Sequence, residues 1–270
     1  MIDPPRECED ITTWGARIER AIGGYGGVID RVVVLAETGS TQDAARRLAD
    51  GKPGLMVLAG RQTAGRGRLG RSWADTSHLG VAVTFVLPGE AIDDGRLSLM
   101  GGIVAKDACG GRPGSLGLRW PNDVVEPRPP HRKVAGVLIE RQAGLIYLGI
   151  GINVLQRDSD WPAELAPRAA SMRGLGIEGT RLDVAGRLVH SLAMHFSWET
   201  ARLASAWREH DILVGGRHSF AHDNQRYFGT VVDIDPVAAI RVRLGDGREV
   251  SLPACTTSLV HEEPRPPHAA

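Results

Sequence analysis

The chain has 270 residues, of which 42% are apolar, and its 32 basic residues balance 32 acidic ones to give a formal net charge of zero. A chain of this length buries a sizeable core and can hold one large and one small domain. No apolar run approaches the roughly 18 residues of a membrane helix, and the acidic start MIDPPRECED is unlike a signal peptide, so we expect a cytoplasmic protein without membrane contact. The neutral charge argues against binding nucleic acid through the overall field.

The cysteines and lysines are few. The three cysteines are Cys8, Cys109 and Cys255. They lie far apart and form no C-x-x-C pair, which argues against a disulfide framework or a zinc site. The three lysines, against 29 arginines, are Lys52, Lys106 and Lys133. A lysine kept under such a strong arginine bias is a candidate functional residue.

The first part of the chain predicts strands around one helix and one polar loop. The predicted strands are RVVVLAE at 31–37, LMVLAG at 55–60 and GVAVTFVLP at 80–88. After the first strand we predict a helix in which Ser40 and Asp43 form a capping box and which Gly51 ends. An arginine- and glycine-rich loop separates the last two strands. Two strands of one sheet would give that loop a rigid frame.

The rest of the chain alternates between helical and strand patterns. GRLSLMGGIVAKDACGG has helical spacing, and LGLRWPND, KVAGVLIE and LIYLGIGINV are predicted strands, the last two joined by a turn at RQAG. Helical spacing returns from RLDVAGRLVHSLAMHF to LASAWREH, with an apolar stripe at Leu182, Ala185, Val189, Leu192 and Phe196. Residues 215–262 alternate apolar and polar, with Asp246–Gly247 as a hairpin turn, and predict a small β module.

These patterns predict an α+β fold, with a mixed β-sheet flanked by helices and followed by a small β domain. We expect an amino-terminal extension at 1–30, a catalytic domain at 31–212, the β domain at 213–262 and a disordered tail at 263–270.

The loop GRQTAGRGRLGRSW at 60–73 is the most unusual segment of the sequence. The glycines that match the dinucleotide fingerprint G-x-G-x-x-G are Gly65, Gly67 and Gly70. The next segment predicts loop and strand rather than a helix, so the fingerprint fails, and no Gly-Lys-Ser/Thr follows to make a Walker loop. The arginines of the loop are Arg66, Arg68 and Arg71. Guanidinium groups pair with carboxylates and phosphates, so we predict that a mobile loop closes on a small anionic ligand.

Other candidate residues have a plain structural alternative. RWPNDVV at 119–125 places Asn122 and Asp123 at the end of a strand beside the flat ring of Trp120, but Pro, Asn and Asp are also ordinary turn residues. Lys133 lies at the start of an apolar strand, where a lysine can simply protect the edge of a sheet. GSTQ can be a helix cap, Gln62 a polar loop residue, and GIGINV close strand packing with a turn at its end.

The order of these segments along the chain is more specific than any one of them. Ser40–Thr41, Gln62 with AGRGRLGR, RWPND, KVAGVLIE and GIGINV together resemble a bacterial biotin protein ligase of the short form, which has no amino-terminal helix-turn-helix domain. The resemblance covers roughly residues 31–155, and it implies a class II synthetase-like catalytic domain. The small β module resembles the SH3-like barrel of that family.

The resemblance also implies an activity. It implies ATP-dependent attachment of biotin to one lysine of a biotin carboxyl carrier domain of a carboxylase, through biotinyl-5′-AMP, with biotin, ATP and Mg²⁺ as ligands. Attack of a carboxylate on a phosphate brings two anions together, so cations in a water-excluded site are needed. No protein nucleophile is required, and the sequence has no serine or cysteine triad signature.

The resemblance further implies site residues. The implied biotin-binding residues are Ser40, Thr41, Gln42, Gln62, Gly65, Arg66, Gly67, Arg68, Lys133 and Gly136. The implied ATP or adenylate residues are Arg66, Arg68, Arg71, Trp120, Asn122, Asp123 and Asn153. Lys133, Arg66 and Arg68 are the expected catalytic residues, and no metal ligand is named. Gln42 stands where the family commonly has Asn, and Arg119 where a lysine usually precedes the Trp-Pro-Asn-Asp run.

Two other functions remain open at this point. One is a lipoate or octanoyl ligase or transferase of the same fold, and the other is an RNA-binding protein whose arginine-glycine tract lies beside a β barrel. Aromatic residues at only 5% give the second little stacking surface. We expect no DNA binding, because about thirty residues before the first strand are too few for a helix-turn-helix domain and its linker. Both a monomer and a homodimer are compatible with the sequence.

Overall fold

The structure is a computed structural model and describes residues 11–22, 27–74, 78–90, 92–235 and 239–260. The tail expected at 263–270 and Cys8 lie outside this part of the chain. The helices are α1 (Trp14–Ile22), α2 (Thr41–Leu48), α3 (Asp94–Cys109), α4 (Arg181–Phe196) and α5 (Thr200–Arg208). None of the described helices has the length and apolar character needed to cross a membrane.

Two sheets organise the chain. The strands of the first sheet are β1 (Arg31–Leu35), β2 (Leu55–Ala59), β3 (Gly80–Pro88), β4 (Gly117–Arg119), β5 (Asp123–Val125), β6 (Lys133–Gln142) and β7 (Leu145–Asn153). Those of the second are β8 (Arg217–His222), β9 (Gln225–Asp235), β10 (Ala239–Leu244), β11 (Glu249–Pro253) and β12 (Ser258–Val260).

The first sheet is mixed, as the sequence predicts. Its strand order is β1-β2-β3-β7-β6-β5-β4, with β1 and β2 parallel and the other neighbours antiparallel. Successive side chains of a strand face opposite sides. On β2, Met56 and Leu58 accordingly join the main core with α3 and α4, whereas Leu55 and Val57 pack with α2 on the other face. The sheet is therefore covered by helices on both faces.

The amino-terminal segment contributes to the main core. Trp14 and Ile18 of α1 are fully buried, and α1 packs against α4 and β1. The guanidinium of Arg181 lies 4.9 Å from the centre of the Trp14 ring, a cation–π contact. Residues 11–22 are thus packed into the α+β domain.

Two local predictions are wrong. Ser40 caps α2 by accepting a hydrogen bond from the Gln42 amide, but Asp43 does not complete a capping box, because its carboxylate pairs with Arg46 and Arg66 instead. LGLRWPND is two strands rather than one. It forms a hairpin of β4 and β5, because Pro121 cannot donate to a strand ladder and starts a turn there.

The second sheet is the predicted small β module. Its antiparallel order is β11-β10-β9-β8-β12, and Gly247, with φ of 87°, completes the predicted hairpin turn between β10 and β11. Phe220, Val231 and Ile240 are among its buried residues. The arrangement is consistent with the SH3-like domain that the resemblance implies. The segment that leads into this sheet is tied to β4 by two backbone hydrogen bonds, from the Leu118 amide to the His210 carbonyl and from the Ile212 amide to the Leu118 carbonyl.

Candidate active site

Two adjoining cavities open on the β6–β7 face beneath the arginine-glycine loop. The first has an empty volume of about 450 Å³. The predicted residues that line it are Ser40, Thr41, Gln42, Gln62, Arg66, Gly67, Arg68, Asn122, Lys133 and Gly136. The second, of about 680 Å³, reaches the carboxy-terminal domain. Its predicted lining residues are Gly67, Arg68, Arg71, Trp120, Asn122, Asp123 and Lys133. Segments far apart in the sequence thus meet as the resemblance implies.

The loop forms a short hairpin over these cavities. The amide of Gly67 donates to the Arg71 carbonyl at 2.7 Å, and the amide of Trp73 donates to the Gly65 carbonyl at 2.9 Å. Its tip turns through Leu69, at φ 56°, and Gly70, at φ 73°, a backbone conformation that glycine adopts without strain. The hairpin aims its arginine side chains at the sheet and at the second domain.

Close approach to the sheet explains two glycines on the cavity floor. A Cβ atom on Gly151 would lie 2.6 Å from the ring of Trp73, and one on Gly136 would lie 2.6 Å from Lys133 Nζ. Trp73 and Lys133 therefore lie flat against β6 and β7, with Lys133 Nζ 5.5 Å from the centre of the Trp73 ring. Trp73 lines both cavities and was not predicted, although an aromatic residue that ends a glycine-rich loop is a usable signal.

A chain of hydroxyl and amide groups forms one end of the first cavity. Thr84 Oγ1 donates to Thr41 Oγ1 at 2.9 Å, and Thr41 donates from both Oγ1 and its backbone amide to Gln62 Oε1, at 3.1 and 2.7 Å. Thr84 is fully buried on β3 and was also not predicted. Its signal was a lone hydroxyl in the apolar run GVAVTFVLP. This network fixes the predicted pair Thr41 and Gln62 in one orientation.

The end next to the second cavity is cationic around one largely shielded carboxylate, which lines the second cavity. Asp123 lies between Lys133, with Nζ to Oδ1 at 2.6 Å, and Arg119, with Nη2 to Oδ2 at 2.8 Å. Burial alone would raise the pKa of Asp123, but Lys133 and Arg119 outweigh it and hold that pKa below the usual aspartate value. Asp123 is therefore ionised at neutral pH, and the three side chains together carry one net positive charge.

Arg68 joins the loop to both domains. Its Nη1 donates to Asn122 Oδ1 at 3.4 Å, and its Nη2 donates to the carbonyl of Ala254 in the carboxy-terminal domain. Burial, with the nearby charge of Arg71, lowers the pKa of Arg68 against the opposing effect of Asp123. The guanidinium stays charged at neutral pH, as arginine does in proteins. A desolvated cation thus lies where the two cavities meet.

Arg71 makes a second connection of this kind. Its Nη2 donates to Ser258 Oγ on β12 at 3.3 Å. The loop therefore contacts the second domain through two arginines.

Arg66 belongs to a four-residue cluster with no net charge. Its Nη1 lies 2.8 Å from Asp43 Oδ1 and its Nη2 lies 3.1 Å from Glu140 Oε2. Arg46 contacts the same two carboxylates at 2.9 and 2.7 Å. The charge of Arg66 is thus balanced by the protein, and the side chain anchors the loop to α2 and β6.

We expect Arg66→Met to free the loop from this anchor. Trypsin should then cleave at Arg68 and Arg71 about two- to fivefold faster, because the cleavage rate follows the population of the open loop and ion pairs between partly exposed side chains are worth up to roughly 1 kcal/mol. Arg61→Met is the matched control, since Arg61 pairs with the exposed Glu37. Equal loop protection in the two variants would contradict the anchoring role.

Two predicted residues do not line either cavity. Asn153 is buried and donates from Nδ2 to the carbonyls of Lys133 and Ala170, at 3.1 and 3.0 Å, so it fixes the backbone that carries Lys133. Gly65 accepts from Trp73 and closes the base of the loop hairpin. The nucleotide contact expected of Asn153 and the biotin contact expected of Gly65 stay predictions.

The described residues provide no cluster of three or more His, Cys, Asp or Glu side chains that could hold a metal ion. Among the described residues, Asp123 is the one carboxylate that lines the second cavity. It is already ion-paired with Arg119 and Lys133. Mg²⁺ commonly binds nucleotide phosphates with one or two protein carboxylates. The residues present therefore do not fit a magnesium ion held by the protein alone.

Comparison with known proteins identifies the family of the chain. The model of the biotin/lipoate A/B protein ligase family matches residues 34–156. The biotin–(acetyl-CoA-carboxylase) ligase of Mycobacterium tuberculosis is 36% identical over 238 residues, which cover 82% of this chain and 86% of that protein. The bifunctional ligase/repressor BirA of Bacillus subtilis is 27% identical over 225 residues, covering 77% and 68%.

The fold has a matching solved structure as well. The biotin protein ligase of Aquifex aeolicus in complex with biotin and ATP aligns with a TM-score of 0.71 and 26% identity, over 86% of this chain and 99% of that one. The fold is thus that of a protein-modifying ligase domain. The chain belongs to the biotin/lipoate A/B protein ligase family.

Proposed function

We propose that this protein is a biotin protein ligase, which uses ATP to join biotin to a lysine of a carboxylase carrier domain through biotinyl-5′-AMP. One observation carries the proposal. A single cavity system has a neutral hydrogen-bonding end at Thr41 and Gln62 and a cationic end at Lys133 and Arg68. Biotin has a polar ring at one end and a carboxylate at the other, and the relative from M. tuberculosis is named for this reaction.

In the first step, a carboxylate oxygen of biotin attacks the α-phosphorus of ATP and pyrophosphate leaves. Two anions must approach each other, and the fixed charges of Lys133 and Arg68 offset their repulsion. Both side chains are already positioned, by Asp123 and Asn122 respectively, so little reorganisation is needed when the charge develops. Preorganised cations of this kind contribute several kcal/mol in a site from which water is excluded.

In the second step, the neutral ε-amine of the acceptor lysine attacks the acyl carbon, and AMP leaves with the bonding electron pair. The intermediate is a mixed anhydride that water would hydrolyse, so the loop hairpin must cover it until the acceptor arrives. The rings of Trp73 and Trp120 give the nucleotide flat apolar surfaces in the second cavity. Arg71 is placed to contact its phosphates from the loop.

ATP enters this reaction as its magnesium complex, so we treat the ion as part of the substrate. The chain's own residues supply the cationic charge at the end of the cavity that would hold the biotin carboxylate, and the nucleotide phosphates and water would supply ligands to the ion.

The alternatives have less support. The named relatives and solved structures are biotin ligases rather than lipoate ligases. An RNA-binding function would need free arginines on the loop, but Arg66 is paired with two carboxylates and Arg68 is largely desolvated.

The deciding experiment is exchange of labelled pyrophosphate into ATP, which reports the reversible first step. We expect exchange that depends on biotin and is absent with lipoate or octanoate. Transfer of labelled biotin to a purified biotin carboxyl carrier domain then tests the second step. Exchange with lipoate but not with biotin would replace this function by the lipoate alternative.

A further inference from the structure

The turn between β11 and β12 places a buried hydroxyl group at the second cavity. Thr257 is fully buried and lines that cavity but not the first. Its backbone amide donates to the carbonyl of Pro253 at 3.1 Å, which closes the turn. Within the same turn, the carbonyl of Ala254 and the hydroxyl of Ser258 accept hydrogen bonds from arginines of the loop. The hydroxyl of Thr257 therefore has a defined position in the cavity wall.

Two buried polar atoms of this cavity have no partner in the described part of the chain. One is Thr257 Oγ1, and the other is the indole Nε1 of Trp120, a residue that is 3% exposed. Trp120 lines the second cavity from the catalytic domain, whereas Thr257 lines it from the carboxy-terminal domain. Unpaired buried polar atoms are costly and rare in native proteins. Two of them in one cavity indicate a ligand that bonds both domains.

The groups around the cavity favour a ligand with anionic oxygens. An indole N–H can only donate a hydrogen bond, so the ligand must present an acceptor. The cations that line the cavity are Arg68, Arg71, Arg119 and Lys133. Asp123, the one carboxylate among the described residues that lines it, is already ion-paired. Beside these cations, the Thr257 hydroxyl would meet anionic oxygens and donate to them, and phosphate groups fit this set of donors.

The geometry of the first step directs the leaving group to this part of the cavity. Lys133 lines both cavities, so a carboxylate held by Lys133 would attack the α-phosphorus near their boundary. In an in-line displacement, the leaving oxygen departs on the side opposite the attacking oxygen. The leaving pyrophosphate would therefore point away from the first cavity, toward the residues that line only the second, Thr257 among them.

We propose that the hydroxyl of Thr257 donates a hydrogen bond to the pyrophosphate half of ATP. The inference rests on the proposed function, in which pyrophosphate is the leaving group of the first step. Thr257 then contacts ATP and free pyrophosphate, but neither AMP nor the biotinyl group. Through this hydroxyl, the carboxy-terminal domain acts in the first step of the reaction and not in the second.

The test mixes enzyme that holds preformed biotinyl-5′-AMP with labelled pyrophosphate and magnesium. A pyrophosphate oxygen attacks the α-phosphorus, biotin leaves as its carboxylate, and labelled ATP reports the rate. We expect the second-order rate constant for pyrophosphate to fall about tenfold or more in Thr257→Val, which loses a hydrogen bond to a charged group. Thr257→Ser keeps the hydroxyl and should stay within about threefold of the wild type.

The rate of biotin transfer to a carrier domain provides an internal reference. It is measured on the same preparation of enzyme-bound adenylate, and dividing the pyrophosphate rate constant by it cancels differences in the folded fraction. Thr257→Val should lower this ratio, because the second step contains no pyrophosphate. A poorly folded variant therefore still gives a result.

Thr256→Val is the matched control. Thr256 lies in the same turn, but its hydroxyl contacts His222 Nδ1 at 2.9 Å and it does not line the second cavity. It should keep the wild-type ratio. An unchanged ratio in Thr257→Val would overturn the inference, and an equal loss of affinity for AMP would do so as well, by placing the hydroxyl on the nucleoside. Either result leaves the proposed function intact, whereas a wild type that forms no adenylate from biotin would overturn both.

Discussion

Lys133→Ala is expected to slow formation of biotinyl-5′-AMP by about a hundredfold to a thousandfold, the range found when one preorganised group that stabilises developing charge is removed. The ammonium lies at the cationic end of the cavity, and no other lysine lies there. Its loss should change the melting temperature little, because Arg119 still holds Asp123 at 2.8 Å. Single-turnover adenylate formation and thermal unfolding measure the two effects.

Lys106→Ala is the control for this variant. Lys106 has a similarly shielded side chain, paired with Asp107 at 3.6 Å, but lines neither cavity. Its removal should leave adenylate formation at the wild-type rate. If a folded Lys133→Ala protein formed adenylate as fast as the control, Lys133 would have no catalytic role and would only protect the edge of the sheet.

Arg68→Gly is expected to release the intermediate more than it slows its formation. The arginine ties the hairpin to Asn122 and to Ala254, so glycine removes both ties and adds a flexible residue. With the loop open, the adenylate should escape and acylate lysines of unrelated proteins. We expect labelling of added bystander protein by biotin and ATP, without acceptor and counted per molecule of adenylate formed, to rise by about tenfold or more if closure contributes at least roughly 1.4 kcal/mol to retention.

The enzyme itself is a poor reporter of this leak. It has three lysines, of which Lys106 and Lys133 are ion-paired, so a lysine-rich bystander protein is required. Arg61→Gly, which loses a pair with Glu37 outside the cavities, is the control for added flexibility. In the wild type, ligands should also protect Arg66 to Arg71 from protease. The sealing role of the loop would be contradicted if Arg68→Gly retained the adenylate and if ligands did not change the rate of proteolysis of the wild-type loop.

Local sequence patterns were enough for most of the sheet. The strands β1, β2, β3, β6 and β7 follow from β-branched runs bounded by turn residues, which is a short-range signal. The hairpin of β4 and β5 was missed because Pro121 interrupts a run of strand-like residues for only three positions. The contribution of Trp14 to the core depends on α4, far along the chain, and no local pattern contains that information.

The candidate site was predictable as a set of residues but not as an arrangement. The family resemblance implied Lys133, Asp123 and Arg66. It could not give the pairing of Arg66 with Glu140, which is 74 residues away and reached only across the folded sheet. Trp73 was not predicted for the same reason, because its position over Gly151 depends on how the loop hairpin folds back onto the sheet.

The bond from Arg68 to Ala254 makes the attachment of the carboxy-terminal domain part of the energetics of the intermediate. The guanidinium of Arg68 contacts both the loop site and the carboxy-terminal domain, so a bound adenylate that moves this guanidinium changes how strongly the domain is attached. The coupling free energy between adenylate binding and domain attachment is the same in both directions. Detachment of the domain, for example by a substitution in the turn between β11 and β12, should therefore change the affinity for the adenylate by no more than the factor by which the adenylate changes domain attachment.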